Sequence, residues 1–595
     1  MFHLSFFAWW QQVLFVAAAL LAVFGGWFAD SKLGESKTGT TFILIAVALA
    51  VLTGISFVLF SEKLMLLGDG KIRIGTINGK LFDDVTELGD IFIHRLLYRV
   101  LAGPGVSGQD VYRWVSIVAG WIFLAISLIW SARLTRPWPA RLFVFLLILS
   151  SGALMLFYGH PESYALLNCA VLIFAVLCTG SEHGPARALP VSAACLVAAF
   201  LHLAGLCLIP ALIIVWSQSI KKTWLRFVWI GISAGAVIAP GLFLFKSVSR
   251  ASALPVLLPL MPSVDHPYAI LGGGHIMDMM NLFLLVAAVP VMMLMCSYTR
   301  DIFKQELGLI ATAAASVLFI LLVDIFFEAG DWDLMAFVSL PLGILAVQTL
   351  MSQGLRKLLR IAGIIVGIMC FHAAPWMISN AVPSIALRQY ADVALRYHHQ
   401  DNNWLFVRGT YILSSDLCKQ YKEALVLGNA AIENGISDAR IYYNMLIASY
   451  HLADYSQAVK YGQAAVASDS NYARAWHYLG ESYNYLKDHD RAAKAFDKAL
   501  AIGDTTAEVY YGLGYALQSL GQYRKASNAL SKAIERSPGE IRYLKMAFYN
   551  YYLMNNYDQA MVLIEKVLRL SPGDQEALHY RTMIKSAFRS TKIGQ

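Results

Sequence analysis

Ten apolar runs long enough to cross a membrane fill the first 385 residues, and they limit what this chain can fold into. They lie near 6–28, 41–60, 113–132, 142–158, 164–180, 225–245, 281–297, 307–327, 334–352 and 360–378. About 20 apolar residues in a helix span the hydrocarbon of a bilayer. A helix is the form in which a single run satisfies its own backbone in lipid. An eleventh stretch, 189–217, is longer and is broken at His202-Leu-Ala-Gly205. It reads either as one tilted helix or as a hairpin of two.

Charge placement separates this part from the rest. Of the 86 Asp, Glu, Lys and Arg residues, 42 precede residue 386 and 44 fall in the last 210. A soluble globule, a disordered chain and a nucleic-acid tail are excluded for the first part. The net charge of +8 sits mostly in short loops, so it reports topology. Six of the seven cysteines (Cys169, Cys178, Cys195, Cys207, Cys296, Cys370) lie in apolar stretches and Cys418 does not. No CxxC appears, which argues against a disulfide framework or a zinc site.

The linkers 133–141, 218–226, 298–306 and 353–360 are short and basic, carrying Arg133, Arg136, Arg141, Lys221, Lys222, Arg226, Arg300, Lys304, Arg356, Lys357 and Arg360. They share one side only if 189–217 is a hairpin. The positive-inside rule makes that side cytoplasmic. The expectation is an all-α chain with about twelve crossings and both termini outside. The first run has no preceding Lys or Arg and no small-residue cleavage site, so it reads as retained. The other side collects the long loop 61–112, the turn Tyr158-Gly-His-Pro-Glu-Ser-Tyr164, the tip at His202, the loop 246–280 and the turn Glu328–Asp333. Ionisable groups at membrane depth are costly unless they line a polar cavity. Their clustering predicts a wet pocket on the outer face.

A second pattern starts near residue 405. Alanines recur at Ala424, Ala458, Ala492, Ala526 and Ala560, each 34 apart. A second series runs Ala431, Ala465, Ala499, Ala533, with Val567 completing it. One unit reads Trp476…Leu479-Gly480…Tyr483…Ala492…Phe496…Ala499. This is similar to the tetratricopeptide repeat (TPR), two helices per 34 residues with small residues where helices cross. The domain reading is a polytopic membrane domain over 1–385, a linker over 386–404, five repeats over 405–574, and a capping helix and tail over 575–595. Tyr443, Tyr450, Tyr511, Tyr515, Tyr549 and Tyr552 fall where such a solenoid lines its groove. They suit an extended peptide or sugar rings; the competing reading is packing between helices.

Multi-pass helices followed by TPRs resemble the GT-C superfamily of membrane glycosyltransferases, and within it the transmembrane-and-TPR O-mannosyltransferases. The resemblance implies a sugar donor on a polyprenyl phosphate, transfer on the extracytoplasmic face of the plasma (inner) membrane, and TPRs on that same side. It implies a protein or glycan acceptor and a protein partner held by the TPRs, with no nucleic acid. It also implies an acidic motif in a large first outer loop and amphipathic juxtamembrane helices.

In loop 61–112, Asp69 of Leu67-Gly-Asp-Gly70 follows a crossing and is the candidate base for an acceptor hydroxyl; otherwise it is a turn residue. Asp83, Asp84 and Glu87 read as a solvated helix start. From Ile91, apolar positions alternate with His94, Arg95 and Arg99 at helical spacing, as in an interfacial amphipathic helix. His160 and Glu162 are the further catalytic candidates, or plain turn residues beside Pro161. Asp331-Trp332-Asp333 could hold a metal or grip a sugar, or cap a hairpin. His202 either satisfies backbone freed at the helix break or contacts phosphate. Arg95, Arg99, Lys246 and Arg250 are candidate phosphate cations, or anchors that reach to headgroups. The loop 246–280, with Asp265, His266, Pro267 and His275, reads as a flap over the site. Asp324 is expected to point into the cavity. A divalent metal (Mg or Mn) is compatible with the family, and no ligand spacing fixes one.

Two other function classes fit the layout. A lipid-linked oligosaccharide ligase or polymerase would depend on outer-loop arginines and histidines. A transporter or assembly scaffold should carry polar or broken helices near the midplane, whereas here the polar residues gather at one face.

Overall fold

The computed structural model describes residues 39–593, except 62–76, 78–86, 102–105, 135, 161–162, 180–184, 221, 234, 236–259, 262–268, 298–305, 323–334, 352–366, 368–374, 376, 380, 397–402 and 416–418. The described residues are helix, turn and loop, with no strand among them. The chain divides into two compact units, 1–389 and 390–595.

The first unit is built from α1 (Gly39–Leu59), α2 (Leu88–Leu101), α3 (Gly108–Arg133), α4 (Trp138–Leu149), α5 (Tyr164–Leu177), α6 (Pro185–Leu201), α7 (Ile209–Ser219), α8 (Gly273–Val286), α9 (Ala288–Ser297), α10 (Leu307–Leu322) and α11 (Ser339–Met351). Among the described residues two helices are long and apolar enough to cross a membrane, Thr40–Leu59 and Gly108–Arg133. Six shorter apolar helices accompany them. The packing centre is aromatic: Phe57, Phe123 and Phe157 are buried, with Phe123 and Phe157 ring centroids 4.9 Å apart. α3 starts cleanly because Ser107 and Asp110 form a capping box, which satisfies two otherwise orphaned backbone donors. Buried hydroxyls turn back on their own helices: Ser127 Oγ donates to the Phe123 carbonyl at 2.7 Å, and Thr312 Oγ1 to Gly308 at 2.8 Å.

Outside that centre the polarity is inverted. On α1, Ile43, Leu44, Val47, Val51, Leu52, Ile55, Val58 and Leu59 are all exposed. On α2, Phe92, Leu96 and Val100 are exposed while Asp90, His94 and Arg95 are buried. The expected amphipathic helix is therefore present, with its polar face turned to protein and its apolar stripe outward. Contiguous exposed apolar surface of this kind marks contact with lipid or another protein.

The stretch 189–217 is a hairpin. α6 ends at Leu201, a 3₁₀ turn runs Leu203–Leu208, and α7 returns beside α6. Trp216 Nε1 donates to Ser192 Oγ at 2.9 Å across the pair.

The second unit is a ladder of antiparallel helix pairs following α12 (Pro383–Arg396), which crosses into it. The pairs are α13 (Asn403–Ser414) with α14 (Tyr421–Glu433), α15 (Ala439–His451) with α16 (Tyr455–Ser468), α17 (Ala473–Tyr485) with α18 (His489–Ile502), α19 (Ala507–Ser519) with α20 (Tyr523–Arg536), and α21 (Ile541–Leu553) with α22 (Tyr557–Leu570). α23 (Gln575–Ile593) follows. Every alanine of the two periodic series, and Val567, is 0% exposed; they occupy the crossing points where a larger side chain would hold helices apart. The turn inside each pair also repeats. Lys419, Ala453, Lys487, Gly521 and Asn555 have φ of 53°, 60°, 63°, 73° and 57°, again 34 residues apart. That left-handed residue reverses the chain and sets up the next helix start, as where Asp454 and Asp488 cap backbone amides.

Candidate functional site

At one end of the first unit, segments far apart in sequence meet. Gly89, on the first turn of α2, packs so closely on the end of α6 that a Cβ there would strike the Phe200 carbonyl. This brings Glu87 to the α6–α7 break, where its Oε1 lies 3.8 Å from His202 Nε2. Tyr164, opening α5, sets its ring edge-on to His202 with centroids 5.4 Å apart. One turn further along α2, the His94 ring stacks on Tyr112 of α3 at 3.9 Å. The 158–160 turn is pinned to α3 by Gly159 N–H donating to Ser116 Oγ at 3.0 Å. The space where a Gly159 side chain would begin is bounded by Arg113 Cγ at 2.9 Å and Ser61 Cβ at 3.3 Å. The end of α1, the start of α2, the start of α3, residues 158–160, Tyr164 and the hairpin tip thus share one region.

The chemistry of the two histidines follows from their partners. His94 Nδ1 lies 2.9 Å from the Asp90 carbonyl oxygen and 2.8 Å from Asp90 Oδ2. The carbonyl oxygen can only accept, so in the neutral ring Nδ1 carries the hydrogen and Nε2 the lone pair. His202 is the reverse. Its Nδ1 accepts the Ala204 amide at 2.9 Å, so in the neutral ring Nε2 carries the hydrogen and points toward Glu87. One nitrogen caps the backbone at the break, as the first of its two sequence readings expects, and the other faces Glu87. Glu87, Asp90, His94, Arg95, His160 and His202 are all under 8% exposed. A buried group of this kind can take up, hold and release protons, and Arg95 adds a fixed positive charge.

Of the sequence candidates, Arg95, His160 and His202 lie in or beside this cluster. Arg99 is exposed at the last turn of α2, one turn outward from Arg95. Asp69, Glu162, Arg250, His266, Asp331, Trp332 and Asp333 lie outside the described residues, as do Asp83, Asp84, Lys246, Asp265, Pro267 and Asp324. His275 is buried near the start of α8. Glu87 corrects the sequence reading. Expected as part of a solvated helix start, it is 2% exposed, because Gly89 lets α2 dock on α6. Asp90 and His94 were passed over as site residues, although their i, i+4 spacing on one face was a usable signal. Tyr112 left no local signal, since its role depends on α2 packing against α3. Among the described residues no group of three His, Cys, Asp or Glu is placed to hold a metal ion, so no step is derived through one.

In the second unit, Tyr443, Tyr450, Tyr511, Tyr549 and Tyr552 are half-buried and Tyr515 is exposed. They pack on neighbouring rings: Tyr443 and Tyr472 at 4.9 Å, Tyr450 and Tyr485 at 5.6 Å, Tyr511 and Tyr543 at 4.9 Å, Tyr552 and Tyr580 at 5.0 Å. Packing and an accessible aromatic surface are both realised.

The family description of the tetratricopeptide repeat matches residues 471–539, and the C-terminal helix pairs are TPRs. Several solved structures are similar to a part of the chain. The crystal structure of YrrB, described as a TPR protein with an unusual peptide-binding site, is 19% identical, covering 34% of this chain and 98% of that one, with a TM-score of 0.29. The crystal structure of MamA is 22% identical over 26% of this chain and 90% of that one, TM-score 0.25. A MamA structure from Desulfovibrio magneticus RS-1 is 21% identical, covering 32% and 97%, TM-score 0.26. No curated protein matches the chain.

Proposed function

We propose that the chain is a multi-pass membrane glycosyltransferase of the GT-C kind. It takes a sugar from a polyprenyl-phosphate donor and transfers it to a protein or glycan acceptor on the extracytoplasmic face, with the TPR solenoid holding the acceptor or a partner. The observation that carries this reading is the buried carboxylate–histidine–arginine cluster at one end of a unit whose outer surface is apolar. Transfer from such a donor needs a base for the acceptor hydroxyl and cations for the departing phosphate. Asp69 is the proposed base. Arg95 is the buried cation suited to the phosphate, and His94 Nε2 is a second proton acceptor within the cluster. The exposed stripe of α2 suits it to the membrane surface, where a polyprenyl tail enters sideways from lipid.

A second reading, a ligase that moves a pre-assembled glycan from its lipid carrier, is favoured by one feature: Arg95 and three histidines are buried near this end. The two separate by mutation. In a deletion strain complemented with variants, Asp69→Asn abolishes glycan transfer under the first reading, while expression and solenoid melting stay unchanged. Full activity in Asp69→Asn with complete loss in Arg95→Gln would select the ligase. An unchanged glycan profile on deletion, with altered solute uptake, would select a transporter.

A further inference from the structure

Glu481 lies on α17 among four tyrosines. Its Oε1 is 2.6 Å from the position a Cβ would take on Gly512 of α19, so the carboxylate is set close against the neighbouring repeat's backbone. Tyr450 of α15 and Tyr485 of α17 form an edge-to-face pair with ring centroids 5.6 Å apart. The Tyr450 and Tyr511 hydroxyls lie within electrostatic reach of Glu481, and those of Tyr485 and Tyr515 within reach of Tyr511. Tyr485 and Tyr515 are 54% and 37% exposed, so the group opens to solvent.

Among the described residues Glu481 makes no ion pair and no side-chain hydrogen bond. Arg542 of α21 acts on Glu481 without a salt bridge to it; its guanidinium is engaged by Glu540 at 3.0 Å and stands 5.9 Å from the Tyr511 ring centre. Glu508 adds a second negative charge. Burial pushes the Glu481 carboxyl up to about 7, as happens when desolvation goes uncompensated. Electron-rich ring faces around an unpaired carboxylate favour one kind of guest, a cation with an apolar stem.

We propose that Glu481, with Tyr450, Tyr485, Tyr511 and Tyr515, forms a binding site for the ammonium group of a lysine side chain on a partner peptide. The site gives a chemical class to the partner that the solenoid holds. It rests on the solenoid's role in binding and is independent of whether the first unit transfers sugar.

The test is calorimetry on the full-length protein in detergent at pH 8, where Glu481 is ionised. The probes are Ac-Ala-Ala-Lys-Ala-Ala-NH2 and the same peptide with norleucine for lysine. The lysine peptide is expected to bind at least about tenfold tighter, about 1.4 kcal/mol. Glu481→Gln should abolish that preference and leave the norleucine peptide unchanged. Tyr485→Leu, at an exposed position, should weaken the lysine peptide several-fold. Equal binding of the two peptides, or a preference that survives Glu481→Gln in a protein with unaltered melting, overturns the proposal. No sugar donor is present, so failure here and failure of the transferase reading are separate outcomes.

Discussion

All five turn residues at the 34-residue spacing adopt a left-handed backbone that suits glycine, and only Gly521 is glycine. For an ordinary residue that conformation costs about 1 kcal/mol. Ala453→Gly is therefore expected to stabilise the solenoid by roughly 1 kcal/mol, read as a higher melting temperature. Gly521→Ala should cost a similar amount. Glu481 supplies a pH dependence. Its folded carboxyl is raised above the unfolded value, so the folded state binds the extra proton between the ordinary carboxylate range and about 7. Stability contributed by the protonated form is present at low pH and declines as pH rises through that window. The groups acting on it are Glu508, Arg542 and the Tyr450 and Tyr511 hydroxyls. Comparing wild type with Glu481→Gln isolates its share. The amide-exchange protection of 473–536 should fall from pH 5 to pH 8 more in wild type than in the variant. Parallel pH profiles would remove Glu481 as the cause.

Elements were legible where pattern alone decides them. The 34-residue period named the repeats because each periodic alanine sits at a helix crossing and nothing larger fits. The break at His202 was legible as a polar group in an apolar stretch, and the hairpin follows from it. The burial of Glu87 was not legible, because it depends on Gly89 and Phe200 meeting across more than a hundred residues. The polar face of α2 was readable, but whether it met water or protein was not, since periodicity records a face and not its neighbour. Two variants test these contacts. Gly89→Val should lift α2 from α6 and raise hydrogen exchange over 88–101, with the solenoid unchanged. Unaltered exchange there would mean that α2 is not docked through Gly89. Phe496 is fully buried against Gly480 and Gly512. Phe496→Ala should cost about 3–5 kcal/mol in solenoid unfolding.

At the scale of the whole molecule, the two units have opposite surfaces. The first presents apolar side chains outward and buries Glu87, Asp90, His94, Arg95, His160 and His202 at one end. The second buries alanine and presents tyrosine and charge. Under the proposed function, a lipid-borne donor would reach the first from the membrane and a water-borne partner would reach the second. The proposed chemistry stands or falls on donor consumption. Full-length protein in liposomes, given a radiolabelled polyprenyl-phosphate sugar and envelope extract from a deletion strain as acceptor, should move label from lipid to acceptor and leave polyprenyl phosphate. Asp69→Asn and Arg95→Gln should each reduce that rate by at least about a hundredfold, the scale of a lost base or of a lost electrostatic contact to the departing phosphate. Label that stays on the carrier with wild-type protein, or variants that turn over at the wild-type rate, would contradict the account.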